Sequence, residues 1–115
     1  LCLKIRRAGW ELWYEPTARA GHLIPAWRTT HEYIAKLRRS ICRTEPMIRW
    51  LWDSSLSLGE ARAQRTRARR RYLKTLLFDW RPTRRRVRVA ERLGRVEGWD
   101  SLVSKLETGE LKRDG

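Results

Sequence analysis

The spacing of apolar residues changes along this chain, and each change predicts a different element. Leu1, Leu3, Ile5 and Ala8 leave Lys4, Arg6 and Arg7 on the opposite side. This fits a short helix with one buried side, and Gly9 supplies the left-handed stop that ends such a helix. Leu12, Trp13 and Tyr14 form a β-favouring run broken by Pro16, and Ala18 to Ile24 form a second run closed by Pro25. Together they predict a short β-hairpin. Two strands alone are marginal in water, so the expectation is a pair of edge strands of a sheet whose other strands lie upstream.

From Thr29 the period becomes helical. Thr29 and Glu32 have the spacing of a capping box. Tyr33, Ile34, Leu37 and Ile41 then share one face, with Lys36, Arg38, Arg39 and Arg43 opposite. The apolar face is expected to be the buried one. Pro46 is placed to open a second short helix carrying Met47, Ile48, Leu51 and Trp52. Ser57 and Glu60 make another capping box ahead of the longest helical segment, Leu58 to Asp79, interrupted by Trp80-Arg81-Pro82. A last helix is predicted from Arg84 to Leu93, stopped by Gly94. A weak amphipathic tail with Trp99, Leu102, Val103 and Leu106 follows, and Thr108 to Gly115 read as frayed.

Charge alters this picture more than length does. The 115 residues carry 27 Lys plus Arg against 13 Asp plus Glu, a net charge of +14, which favours a polyanionic neighbour. Nucleic acid, anionic lipid and phosphorylated substrates all qualify on charge alone. Seven Trp suit a membrane interface, ring stacking or ordinary packing equally well. No apolar run approaches the roughly 18 residues of a membrane-spanning helix. Cys2 and Cys42 lack metal-ligand spacing and read as reduced thiols. Without an initiator Met, and with a start that reads as mid-helix, the chain is expected to be the C-terminal piece of a larger protein.

The order helix, Gly9, extended run to Pro16, extended run to His22 resembles the end of the catalytic domain of family 2 glycosyltransferases. These are inverting enzymes with an α/β GT-A nucleotide-sugar fold. Pro16, Arg19, Gly21 and His22 keep the family's Pro-x-x-Arg-x-Gly-His spacing. The following His22-Leu-Ile-Pro-Ala-Trp27-Arg28 is similar to a His-x-Ile-Pro-x-Trp-Arg run of its polysaccharide-building members. The Gly94 to Gly98 stretch is similar to a Gly-Arg-x-x-Gly run late in such enzymes. The resemblance implies an α/β parent fold, of which this piece is mainly α with a short hairpin. Residues 1–28 would close the catalytic domain, 29–107 would be a helical extension, and 108–115 a tail.

The same resemblance implies transfer of a sugar from a nucleotide-sugar donor to a glycan or lipid-linked acceptor, with a divalent Mn or Mg ion on the diphosphate. The family's catalytic aspartate and its Asp-x-Asp have no counterpart here, so this piece is expected to be inactive alone. Asp53, Asp79 and Asp100 match no motif position. His22 would contact the metal or the phosphate. Trp27 and Arg28 would line the donor–acceptor boundary, a Trp face stacking on sugar and an Arg fork gripping phosphate; the bland reading makes them a helix anchor and a surface charge. Lipid-linked acceptors imply a cytoplasmic location, peripheral at the inner face of the plasma membrane. The basic run Arg62 to Arg71, with Arg62, Arg65 and Arg69 foremost, reads as a solvated face, a contact with anionic membrane, or a nucleic-acid contact. No specific nucleic acid is expected, since no RNA-binding platform, zinc knuckle or helix-turn-helix signature is present.

Overall fold

The computed structural model describes residues 5–6, 8–11, 13–19, 21, 23–80 and 82–111, with Thr83 described by its backbone alone. Among the described residues three long helices carry the fold: α1 (His31–Trp52), α2 (Leu58–Phe78) and α3 (Pro82–Glu107), with a 3-10 turn at Ala26–Thr29 leading into α1. Among the described residues there is no strand, so the expected β-hairpin is corrected to non-repetitive chain. The physical reason is visible in exposure. Trp13 and Tyr14 are each 88% exposed and Leu23 is 93% exposed, so no second layer covers them. Extended chain gains nothing without a partner ladder or a buried face. Glu15 to Ala18 instead form a turn, closed by Ala18 N–H donating to the Glu15 carbonyl (3.2 Å).

α1 starts one residue later than its predicted cap. The Thr30 hydroxyl accepts from Tyr33 N–H (3.2 Å), while Thr29 bonds back to the Ala26 carbonyl (2.7 Å). The helix then runs unbroken through Pro46, although a proline removes one helical hydrogen bond. Pro46 is fully buried, and its packing offsets that loss. At the other end Asp53 caps α1, its N–H donating to the Arg49 carbonyl (2.8 Å), and Leu56 turns into the core. Ser57 caps α2 by accepting from Glu60 N–H (3.2 Å), as its spacing predicts.

α3 departs furthest from its predicted form. It does not stop at Gly94 but passes through Gly94 and Gly98 to Glu107. Both glycines are buried against the backbone of α1. A Cβ at Gly94 would collide with the Arg39 carbonyl, and one at Gly98 with the Arg43 carbonyl and with Pro46 Cδ at 3.0 Å. Two glycines four residues apart thus form a smooth strip on which α1 lies close. The segment read as a weak tail holds the core: Leu102 and Val103 have no exposed surface, and Trp99 is 7% exposed. Trp50, Leu56, Ala61 and Ala68 complete it. Beyond the helix, Gly109 (φ 73) turns the chain so that Leu111 N–H reaches the Lys105 carbonyl (3.3 Å) and Leu111 packs on the core.

α3 touches both other helices, and its carboxylates organise the contacts. Glu91 and Glu97 pair with Arg38 and Arg39 of α1, and Arg95 pairs with Glu45 of α1 (3.0 Å). Glu107 and Asp100 pair with Arg62 (2.7 Å) and Arg69 (2.8 Å) of α2. Such exposed pairs contribute about 0–1 kcal/mol each, so they select register more than they stabilise. With α3 in the middle the molecule is flat, 47 × 46 × 19 Å. Flatness leaves the expected inner face of α1 outside: Ile34, Leu37, Ile41, Ile48 and Leu51 are 37–50% exposed, and α1 buries Cys42, Pro46 and Trp50 instead.

Gly98→Ala should force α1 and α3 apart and lower stability by about 1–3 kcal/mol, the usual cost of overpacking, read as a lower urea midpoint with unchanged slope. Glu97 yields a pH dependence. Its hydrogen bond from Arg39 holds the carboxyl below the usual glutamate value, against a smaller upward push from burial. A depressed folded pKa adds stability above the unfolded value that disappears as pH falls through the folded one. Glu97→Gln should therefore lower the unfolding free energy at neutral pH by less than about 1 kcal/mol, read as a slightly lower thermal midpoint, and make the acid loss of stability shallower.

Candidate functional site

The residues singled out in the sequence do not all come together. His22 lies outside the described residues, as do Cys2 and the start of the first predicted helix. Its neighbours Gly21, Leu23 and Ile24 are exposed, and nothing stands within 4 Å of where a Gly21 side chain would begin. Nearby, Glu15 accepts from the backbone N–H of Thr17 (2.9 Å) and from its hydroxyl, which holds the Glu15 carboxyl below its ordinary value. That turn is local and reaches no other candidate.

Trp27 and Arg28 do stand together, packed with Tyr33, a residue whose helical spacing placed it on the apolar face of α1. The 3-10 turn and the Thr30 cap bring Tyr33, on the first turn of α1, back against Trp27. The two rings meet edge to face, with centroids 5.0 Å apart and planes at 89°. The Arg28 guanidinium lies 5.0 Å from the Trp27 centroid and 5.8 Å from that of Tyr33. The turn is tied by Thr30 Oγ1 donating to the Trp27 carbonyl (2.9 Å). Trp27 remains 56% exposed and Arg28 is exposed, so both side chains stay in contact with solvent. A cation held over aromatic rings at the surface gains about 0.5–1 kcal/mol, enough to fix the direction of the fork. The available signal for Tyr33 was its place on the first turn after the proline and the caps.

No donor set accompanies this cluster. Among the described residues no group of three His, Cys, Asp or Glu approaches closely enough to hold a metal ion. His22, which the resemblance sets beside a divalent ion, lies outside those residues. Cys42 is buried at 3% exposure and burial pushes its thiol up, which suits packing rather than reactivity. His31 sits exposed at the start of α1.

The basic run divides into two sides. Arg62 and Arg69 face α3 and are occupied by Glu107 and Asp100, and Arg65 on the same side is half-buried. The outward side, opposite the buried Ala61 and Ala68, carries Arg70, Leu73, Lys74, Leu77 and Phe78. Leu73 is 55% exposed, Leu77 75% and Phe78 72%, and Trp80 beyond the helix end is 82% exposed. Among the described residues no helix is long and apolar enough to cross a membrane.

Comparison with protein-family models, with curated proteins and with solved structures returns no match to this chain. Since Trp27 lies outside the core, Trp27→Ala should leave the urea unfolding free energy within about 1 kcal/mol of the parent. A loss as large as the roughly 2–5 kcal/mol of a core truncation would make Trp27 an anchor of α1 and remove it as a ligand-facing residue.

Proposed function

We propose that this chain is the C-terminal portion of an inverting, family 2-like glycosyltransferase that moves a sugar from a nucleotide-sugar donor in glycan or polysaccharide biosynthesis. The observation that carries the reading is the Trp27–Arg28–Tyr33 cluster. It presents a sugar-sized ring face beside an anion-gripping fork, immediately after the run Pro16, Arg19, Gly21, His22. The exposed Ile34, Leu37, Ile41, Ile48 and Leu51 on the same helix support it, because an apolar helix face left uncovered by its own bundle suits packing on an adjoining catalytic domain. In that enzyme Trp27 and Arg28 line the donor–acceptor boundary, His22 serves the metal or diphosphate, and the base comes from upstream. Reading the coding DNA ahead of Leu1 tests this. An in-frame Glu-Asp-x-Asp directly before Leu1, with an Asp-x-Asp further upstream, is the expected result. A start codon at Leu1 with no coding sequence above it would sink the proposal.

A contact with anionic membrane belongs to the same reading, and the outward face of α2 favours it. Leu73, Leu77, Phe78 and Trp80 interleave with Arg70 and Lys74, the composition of an interfacial helix whose apolar side chains enter the headgroup region while cations meet lipid phosphates. This surface differs from the Arg62, Arg65 and Arg69 set suggested by charge density. Co-sedimentation with phosphatidylcholine vesicles, with and without phosphatidylserine, should show binding only to the anionic ones. Leu77→Glu with Phe78→Glu should weaken it at least tenfold, and Arg62→Gln should change it little. Equal loss in both variants would point to diffuse charge attraction.

A further inference from the structure

A cleft lies between α1 and α2, above the middle of α3. Its floor is the buried surface of Pro46, Ala68 and Trp99, and its volume is about 300 Å³. The cleft exists because α3 alone bridges the two other helices there. Its walls carry five arginines: Arg49 from α1, Arg67 and Arg71 from α2, and Arg92 and Arg95 from α3. The one carboxylate in the lining, Glu45, is taken by Arg95 (3.0 Å), whose guanidinium is held more firmly protonated by that bond.

The remaining cations are poorly compensated. Arg49 stands 3.8 Å from Asp53 and Arg67 stands 4.0 Å from Glu60, the outer limit of an ion pair. Arg71 and Arg92 have no ion-pair partner among the described residues, and Arg92 is half-buried. Arginines converging on a concave space repel one another unless an anion enters, and such a cleft concentrates field and counter-charge. Guanidinium forks match phosphate oxygens two at a time. The volume is at the small end of ligand pockets, so a compact anion fits better than a whole nucleotide or a polymer strand.

We propose that this cleft is a binding site for a compact oligophosphate group, with Arg71 and Arg92 as its two uncommitted donors and Arg49, Arg67 and Arg95 as the surrounding charge. The site shares no residue with the Trp27–Arg28–Tyr33 cluster and stands whether or not the glycosyltransferase reading does. A free oligophosphate and the polyphosphorylated headgroup of a lipid present the same chemistry to it.

Titration calorimetry at fixed ionic strength tests the site, using orthophosphate, pyrophosphate and tripolyphosphate. Saturable binding at one site is expected, tightening with phosphate number. Arg71→Gln combined with Arg92→Gln should weaken tripolyphosphate at least tenfold. Arg84→Gln combined with Arg86→Gln, which removes the same charge from an exposed face elsewhere, should change it less than twofold. Circular dichroism melts report whether each variant is folded. The single Arg71→Gln, at an exposed position, should still weaken binding several-fold if the double variant unfolds. Vesicles carrying a polyphosphorylated inositol lipid then separate the sources. Binding to them that tripolyphosphate displaces and that Arg71→Gln with Arg92→Gln abolishes assigns the lipid headgroup, and binding of tripolyphosphate without binding to the vesicles assigns the free anion. Equal loss in the two double variants, or no saturable binding, would overturn the proposal. So would a single-stranded oligonucleotide that binds more tightly than tripolyphosphate and depends equally on all four arginines, which would make the surface a nucleic-acid one.

Discussion

The close crossing of α3 over α1 at Gly94 and Gly98 is the contact on which the remaining geometry depends. Backbone meets backbone there, with no side chain between the Arg39 and Arg43 carbonyls and the glycine Cα atoms. Glycine in a helix interior costs about 0.5–1 kcal/mol relative to alanine, so a pair of them needs compensation from packing. That compensation comes from the buried side of α1, where Cys42, Pro46 and Trp50 pack inward. The same approach fixes which carboxylates of α3 can reach which arginines of α1.

Consequences spread outward from that crossing. With α1 held by its small-residue side, its Ile and Leu side faces solvent. With α3 central, α2 packs through Ala61 and Ala68, and two further features follow: an arginine-walled cleft above α3 and an apolar, cationic outer face on α2. A flat bundle has a small core for its length. It therefore exposes more apolar surface than a closed one, and within the helices that surface lies along α1 from Ile34 to Leu51 and at the end of α2 from Leu73 to Phe78.

The net charge of +14 is likewise distributed by the fold and not by the sequence run. Arg62 and Arg69, which stand in the densest basic stretch, are neutralised across the α2–α3 contact. Arg71 and Arg92, far apart in sequence, share one cleft with no carboxylate of their own among the described residues. Charge density along a chain is thus a poor guide to which cations remain available.

Local signals determined a good deal by themselves. The Ser57 cap, the break before Pro82 and the helical period from residue 31 onward are all legible, because caps, prolines and short-range spacing act within a turn or two. The helix through Pro46, the helix through Gly94, the absence of strands among residues 13–25 that are described, and the outward turn of the Ile34 to Leu51 face were decided only by tertiary structure. Each of those depends on what lies across the interface. A proline or glycine breaks a helix standing alone but not one whose neighbour needs its small, donor-free surface, and an apolar stripe marks a face that needs covering without saying which partner covers it.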